Sequence, residues 1–280
     1  MKVHKFIKED ISVSEKFIVK FSEMYIKQRS ETKFSYDKID ESLLFQKHGF
    51  DSTHIKKIIT KNAVANDIIR EAGGKHKTVL TDIYRSDLGE LLLTYYFEEK
   101  LSESERFIIP YKNITNRALA AQPGRGLDAV GYRINNDRIQ LLIGEGKVSH
   151  QAKNPPDVVD YTHDSIYNTQ IKFKNNKGLL VNRLADYTRN LTDEAAEKIG
   201  LVLLLLDFGR DNEFDLVFGC SLLRDVTCVK INEDYGKFYT QQTDFDPHQI
   251  TFCIMSLDKN VADTIDLFYN KVQELCEAKK

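Results

Sequence analysis

The chain lacks several features that mark particular classes of protein. It has no tryptophan, five prolines and four cysteines among 280 residues, and none of the cysteines forms a Cys-x-x-Cys pair. Without such a pair or histidines at metal-ligand spacing, we expect no structural zinc site and reduced thiols at Cys220, Cys228, Cys253 and Cys276. The composition, with 41% hydrophobic and 29% charged residues, indicates neither disorder nor a repetitive fibre.

Long hydrophobic runs and an excess of positive charge are also missing. The longest aliphatic stretch, Leu201 to Leu206, is far shorter than the roughly 20 residues of a membrane helix. The first residues, MKVHKFIKEDI, contain no continuous apolar signal core. We therefore expect a cytoplasmic protein without membrane contact. The net charge of −2 is less basic than that of a dedicated nucleic-acid binder, so any DNA contact should be local or assisted by a partner.

The segment from Gly126 to Lys147, GLDAVGYRINNDRIQLLIGEGK, has the pattern of a β-hairpin. Runs of β-branched, aromatic and aliphatic residues flank an Asn-Asn-Asp sequence, which favours a tight turn. We assume a two-residue loop at Asn136 and Asp137. Three facing pairs are then apolar: Ile134 with Ile139, Tyr132 with Leu141, and Val130 with Ile143. The next pair in this register is Asp128 with Glu145.

The end of this hairpin suggests a metal site. Facing side chains on antiparallel strands have Cβ atoms about 4.5 to 5.5 Å apart, and two carboxylates so close repel each other unless a cation neutralises them. Mg²⁺ suits Asp128 and Glu145 because it binds one or two carboxylates and keeps waters. Lys147 lies on the same face, where it would orient or deprotonate a water or offset charge on a phosphate. Gly144 and Gly146 would let a substrate backbone approach closely.

The same residues also fit an ordinary surface hairpin with a salt-bridged patch of Asp, Glu and Lys. The apolar pairs before the site favour function, because they would carry these charges into a packed layer. A three-residue turn would reverse the parity and separate Asp128 from Glu145, so the interpretation depends on the register.

A helix from Asp82 to Leu101 is predicted to place a further acid near this site. Its apolar residues lie on two sides, which indicates a helix packed between two layers. Glu90 falls among these apolar positions, and a buried carboxylate is costly unless it is paired or metal-bound. Glu90 is therefore a candidate third ligand, with a solvated helix edge as the alternative. The polar segment that follows, with Asn113, Asn116, Arg117, Gln122 and Arg125, fits a phosphate-binding rim or a solvated loop.

The rest of the chain predicts an α/β (α+β) fold, with a mixed central sheet flanked by helices. Residues 1–75 are expected to form a largely helical accessory region, with helices at Ser14–Gln28 and Ile55–Ala72 that pack internally or dock another protein. Residues 76–280 form the main domain, with a C-terminal strand and helix extension. Its further predicted strands are 106–110, 201–208, 214–219, 227–231 and 249–255, and its predicted helices include a short one from Thr192 to Gly200 and one at 258–276.

This order of a helix acid, a strand acid and Glu-Gly-Lys resembles the PD-(D/E)xK nucleases of the restriction-endonuclease-like superfamily. Three motifs resemble more narrowly the HamA family, the nuclease subunits of the Hachiman anti-phage defence system: Asp87-Leu88-Gly89-Glu90, Gly124-Arg125-Gly126-Leu127-Asp128 and Gly144-Glu145-Gly146-Lys147-Val148. The likeness spans roughly residues 80–210. Leu127 stands where the superfamily's namesake proline precedes the aspartate.

The resemblance implies a restriction-endonuclease-like sheet in residues 76–280 and a DNA nuclease that uses Mg²⁺, with Mn²⁺ as an alternative. Asp128 and Glu145 would hold the metal, Lys147 would serve the attacking water, and Glu90 would complete the metal shell. The implied partner is a superfamily 2 helicase subunit, HamB-like, and the nuclease is released or activated when infection alters DNA. The alternatives are a non-catalytic, partner-binding subunit that keeps a nuclease-like fold, and a nuclease that cleaves RNA.

Overall fold

The computed structural model describes residues 3–30, 39–65, 76–116, 126–161, 163–188, 191 and 193–277. Across these residues run six strands: β1 (Lys5–Ile11), β2 (Ile108–Lys112), β3 (Ala129–Asn135), β4 (Arg138–Ser149), β5 (Asp215–Asp225) and β6 (Gln249–Leu257). They form one sheet in the order β1-β6-β5-β4-β3-β2. The first four strands in this order are parallel, and β4, β3 and β2 are antiparallel. This confirms the predicted mixed sheet.

Helices cover both faces of the sheet, as predicted. They are α1 (Glu15–Ser30), α2 (Leu43–Lys47), α3 (Ser52–Ala65), α4 (His76–Tyr95), α5 (Asn113–Asn116), α6 (Asp157–Asp160), α7 (Ile166–Asn175), α8 (Lys177–Thr188), α9 (Asp193–Asp207), α10 (Ile231–Asp234), α11 (Lys237–Thr240) and α12 (Val261–Glu277). Helices α1, α4 and α12 enclose one apolar core, and α7, α8 and α9 enclose the other. None of the described helices is both long and apolar enough to cross a membrane.

The hairpin of β3 and β4 has the predicted register. Asn135 faces Arg138 and Val130 faces Ile143. Asn136 and Asp137 both adopt positive φ angles, 48° and 59°, which is the backbone of a tight two-residue turn that Asn and Asp tolerate. The apolar side chains on one face of this hairpin lie in the core under α7, α8 and α9. Local turn chemistry and alternating polarity therefore determine this part of the sheet.

The prediction of a strand from Leu201 to Phe208 is wrong. Residues 201–207 continue α9, which does not stop at Gly200, and Phe208 follows the last residue of this helix. A Cβ at Gly200 would have nothing within 4 Å, so the glycine is accommodated on an open helix surface. Leucine is a strong helix former, and the helical period buries Val202 while it leaves Leu204 half exposed. The predicted cap, Thr192, lies outside the described residues.

The other predicted strands are partly confirmed. The predicted strand at 227–231 is wrong: a short 3₁₀ turn and α10 occupy this stretch, where Asp234 accepts the backbone N–H of Lys230 over 2.9 Å and folds the chain back. Strand β2 continues past Pro110, which an edge strand tolerates because one of its sides is unpaired. Strands β5 and β6 contain the predicted segments 214–219 and 249–255, apart from Phe214.

The first 75 residues contain a strand that was not predicted. Strand β1 pairs in parallel with β6 at the edge of the central sheet, and α1 packs against α12, with Ser22 Oγ donating to the carbonyl of Phe268 over 3.1 Å. The predicted helices at Ser14–Gln28 and Asp258–Cys276 correspond to α1 and α12. Part of the predicted helix at Ile55–Ala72 is α3, and its last residues lie outside the described chain.

Candidate functional site

The predicted site residues line one cleft of about 620 Å³. Strand β4 continues for five residues beyond the point where its pairing with β3 ends at Gly144, and it pairs there only with β5. The side of β4 that β3 leaves open is the floor of the cleft. Glu145 and Lys147 lie on this extension, Asp128 lies one residue before β3, and Glu90 reaches the cleft from α4.

Asp128 completes the sheet beside β4 with its side chain. Its Oδ2 accepts the backbone N–H of Gly146 over 2.8 Å, and its own N–H donates to the carbonyl of Gly144 over 3.2 Å. Leu127 lies in the same core as Val130, so the strict alternation predicted for 127 and 128 breaks at this bend. Burial, opposed by Lys147 and the Gly146 hydrogen bond, raises the pKa of Asp128 from 3.8 to about 6.

Tyr187 holds the backbone in front of Asp128. Its hydroxyl oxygen accepts the N–H of Leu127 over 3.2 Å, and its ring stacks on Tyr111 with 3.7 Å between centroids. Gly126 has a φ of +115°, and a Cβ there would lie 2.5 Å from the Tyr187 hydroxyl. Glycine is therefore required for this turn. The close packing of Tyr187 explains why a glycine precedes Leu127 and Asp128 in the sequence. No sequence pattern around Tyr187 indicates this contact.

Glu145 lies deeper than Asp128, with a side chain that is 5% exposed. Its Oε1 is 3.3 Å from Nζ of Lys147, while its Oε2 is buried without a hydrogen-bond partner in the described chain. Burial, together with the negative charge of Asp128, raises the pKa of Glu145 well above its ordinary value. A buried carboxylate oxygen without a donor is costly, and a bound cation would satisfy it.

Lys147 lies between two carboxylates. Its Nζ is 3.3 Å from Oε1 of Glu145 and donates to Oδ1 of Asp164 over 3.0 Å. Burial alone would lower the pKa of Lys147, but Glu145, Asp128 and Asp164 together raise it above its ordinary value. Lys147 is thus paired with one buried and one exposed carboxylate. Asp164 lies between α6 and α7 and was not among the predicted residues.

Glu90 is buried at 2% exposure, so the alternative of a solvated helix edge is wrong. Its Oε1 accepts hydrogen bonds from Ser86 Oγ over 3.2 Å and from Asn113 Nδ2 over 3.0 Å. Asn113 thus belongs to the cleft, whereas Asn116 turns back to the carbonyl of Lys112. The other residues of the predicted rim, Arg117, Gln122 and Arg125, lie outside the described chain.

The donor set fits a hard divalent cation held by two carboxylates. No three His, Cys, Asp or Glu side chains of the described residues converge closely enough to hold an ion by themselves. Asp128 and Glu145 nevertheless suit Mg²⁺, which takes one or two protein carboxylates and completes its shell with water. Glu90 lines the same cleft, where Ser86 and Asn113 hold its Oε1. Its role as a third ligand stays a prediction.

Comparison with protein families gives one match that covers nearly the whole chain. The model of the HamA family matches residues 4–272. The chain belongs to the HamA family. It is therefore a component of a Hachiman anti-phage defence system, as the motifs predicted. No curated protein and no solved structure matches this HamA-family chain.

Gly144 and Gly146 serve helix packing rather than substrate approach. A Cβ at Gly146 would lie 2.9 Å from Ser221 Oγ and 3.1 Å from the carbonyl oxygen of Gly89, and a Cβ at Gly144 would lie 3.2 Å from Leu93 Cδ2. The prediction that Gly144 and Gly146 admit a substrate backbone therefore needs correction. Both glycines let α4, with Glu90 on it, approach β4 closely.

A buried ion pair anchors the segment after β4, which contributes Gln151 to the cleft. Arg224 and Asp234 are both fully buried and bonded to each other. The guanidinium group of Arg224 also donates to the carbonyl oxygens of Gln151 and Lys153, and Asn154 donates to Asp234. This cluster anchors the segment after β4, whose residue Gln151 lines the cleft. Arg224 and Asp234 are 10 residues apart, but their contacts with Gln151, Lys153 and Asn154 join parts of the chain about 70 to 80 residues apart, which single-sequence patterns do not reveal.

Proposed function

We propose that this chain is the nuclease subunit of its Hachiman system and hydrolyses phosphodiester bonds in DNA with a divalent cation, Mg²⁺ or Mn²⁺. One observation carries the proposal. Two acids, Asp128 and Glu145, are buried in one cleft at the open end of β4, where the charge of Asp128 raises the pKa of Glu145, and Nζ of Lys147 lies 3.3 Å from Glu145. Burying such a cluster costs folding free energy, and function is the usual reason to retain it.

Each residue of the cluster has a distinct task in this proposal. Asp128 and Glu145 hold the cation through their carboxylate oxygens. When bound, the cation polarises the phosphate and lowers the pKa of a water. Lys147 places a positive charge beside Glu145, where it orients the attacking water or offsets negative charge that develops on the phosphate. Gly146 fixes Asp128 through its backbone N–H.

Glu90 extends the site from the opposite layer. Ser86 and Asn113 hold its carboxylate at the cleft, so Glu90 has a defined position from which to bind the cation or a water in its shell. A substrate that displaces the amide of Asn113 would remove one of these two hydrogen bonds to Glu90. We assign Glu90 the role of third ligand or water ligand in the loaded enzyme.

Membership of the HamA family and the net charge of the chain support a proposal for its partner and its substrate. A net charge of −2 gives the chain little electrostatic attraction for DNA as a whole. We therefore propose that a superfamily 2 helicase subunit, HamB-like, supplies most of the grip on DNA and delivers the strand to the cleft. DNA is preferred to RNA as the substrate because a defence helicase acts on the DNA of the infecting phage.

A cleavage assay on the complex tests this function. The chain is co-expressed with its helicase subunit, and matched DNA and RNA strands are incubated with the complex in MgCl₂ or in chelator. We expect DNA cleavage that needs Mg²⁺ and falls at least about 100-fold in Glu145→Gln, which removes a metal-binding charge. Glu98→Gln is the matched control, because Glu98 also pairs with a lysine, Lys112, over 2.9 Å but lies outside the cleft.

The outcomes separate the alternatives. Cleavage of RNA but not DNA would establish the RNA-cleaving alternative. Full phage resistance in cells that carry Glu145→Gln would establish the non-catalytic, partner-binding subunit. Equal cleavage by Glu145→Gln and Glu98→Gln would contradict the assignment of the site.

A further inference from the structure

Asp164 holds the ammonium of Lys147 from the open side of the cleft. Its Oδ1 accepts the Lys147 hydrogen bond over 3.0 Å, although its side chain is 87% exposed. Glu145, on the inner side of Lys147, is almost fully buried. The ammonium therefore lies between a buried carboxylate that belongs to the strand and an exposed one that belongs to the segment between α6 and α7.

The position of Asp164 conflicts with the approach of DNA. A phosphodiester group carries the same charge as a carboxylate and seeks the same donor. It has to approach the buried acids from the solvent side, where Asp164 already faces Lys147 and lines the cleft. Burial is the main cause of the raised pKa values of Asp128 and Glu145, and the negative charge of Asp164 contributes to both. The charge of Asp164 therefore acts on both buried acids as well as on Lys147.

We propose that Asp164 is an electrostatic gate, which occupies the Lys147 ammonium until a phosphate of DNA displaces it. The inference rests on the proposed nuclease function, since it assigns Lys147 to the substrate phosphate. The ion pair between Asp164 and Lys147 would weaken the binding of free DNA to the chain. A nuclease that must stay inactive in an uninfected cell benefits from such a barrier.

The gate is weak enough to open. An ion pair whose acid is exposed stabilises little, because water screens the acid and ordering its side chain costs entropy. Asp164 is exposed, so a phosphate that also contacts the cation displaces it. Removing its charge should therefore strengthen DNA binding by about two- to fivefold, the range that corresponds to exposed ion pairs.

The test compares Asp164→Asn with the full-length parent chain. A short labelled DNA duplex is titrated with each protein in CaCl₂ at low ionic strength, and Mg²⁺-dependent cleavage is measured separately on the helicase complex. Asparagine keeps the shape of the side chain and removes its charge. Glu197→Gln is the matched control, because it removes one negative charge from the exposed surface of α9, outside the cleft.

We expect tighter binding and faster basal cleavage for Asp164→Asn, with Glu197→Gln equal to the parent. Equal or weaker binding by Asp164→Asn overturns the gate, and so does an equal gain in Glu197→Gln, which would reflect net charge alone. Failure of both parent and variant to bind DNA at low ionic strength overturns it as well. Normal binding without any cleavage would instead contradict the proposed function and leave the binding comparison to decide the gate.

Discussion

The backbone N–H of Gly146 donates a hydrogen bond to Oδ2 of Asp128 over 2.8 Å. This bond replaces the strand pairing that β4 loses where β3 ends, and it joins the two acid motifs of the sequence. Asp128 thereby lies near Glu145, close enough for its charge to raise the pKa of that acid. The site thus depends on one irregularity at the end of an otherwise regular hairpin.

The buried acids should destabilise the metal-free protein. The pKa of Asp128 rises from 3.8 to about 6 on folding, chiefly through burial. Between these values the folded state binds more protons than the unfolded state, so the free energy of unfolding falls as pH rises through this window. The total loss is about 3 kcal/mol. Asp128→Asn should remove this loss and raise the melting temperature in chelator at neutral pH.

Thermal unfolding in chelator at several pH values checks this effect. Asparagine still accepts the Gly146 hydrogen bond, so its backbone contact is retained. Glu274→Gln is a suitable control, because Glu274 is exposed and its substitution should change the free energy of unfolding by less than about 0.5 kcal/mol. An Asp128→Asn variant less stable than the parent at neutral pH would refute the account of the buried charge.

Added magnesium should stabilise the parent chain more than the variants. A ligand that binds only the folded state adds about 2.7 kcal/mol at a concentration 100-fold above its dissociation constant. Asp128→Asn and Glu145→Gln each remove one negative ligand, so their melting temperatures should rise less. Differential scanning calorimetry with and without MgCl₂ measures the difference. Equal shifts in all three proteins would place the cation elsewhere.

The substitution Gly146→Ala should disturb the packing of α4 on β4. Its Cβ would lie 3.1 Å from the backbone oxygen of Gly89 and 3.3 Å from Leu93 Cβ. Overpacking of this kind costs about 1 to 3 kcal/mol. Gly200→Ala is the matched control, since nothing lies within 4 Å of a Cβ there and alanine favours a helix. Urea unfolding should show destabilisation in the first variant and a gain in the second; the reverse order would contradict the packing.

Tyr187→Phe should allow the backbone at Leu127 and Asp128 to move while the chain stays folded. It removes the hydroxyl that accepts the N–H of Leu127 and keeps the ring that stacks on Tyr111. Loss of one buried hydrogen bond costs about 1 to 3 kcal/mol. Cleavage by the complex should fall while the far-ultraviolet circular dichroism stays native. Cleavage and stability both equal to the parent would show that Tyr187 has no positioning role.

The sequence predicted those parts of the site that depend on neighbouring residues. The Asn-Asp turn and the alternating apolar pairs were sufficient for the register of β3 and β4, because both are local signals. The likeness to the HamA family, which the family match confirms, came from three short motifs in the same region. For Glu90, its place among apolar helix positions left a buried ligand and a solvated helix edge as the two alternatives, and the structure shows that it is buried.

The missed features depend on distant contacts or on ambiguous patterns. Leu201 to Leu206 is apolar throughout, and periodicity cannot separate a buried strand from a helix in so short a run. Strand β1 pairs with β6 from the other end of the chain, so its partner could not be inferred locally. Tyr187 acts on Leu127, 60 residues before it, and Asp164 reaches Lys147 across a polar segment without a recognisable motif.

Anomalous X-ray diffraction from crystals of the chain grown with MnCl₂ would test the central claim most directly. The account predicts a manganese peak within bonding distance of a carboxylate oxygen of Asp128 and of Oε2 of Glu145, with the ammonium of Lys147 beside it. An ordered cleft with no manganese peak between these two acids, at a manganese concentration that supports cleavage, would contradict it.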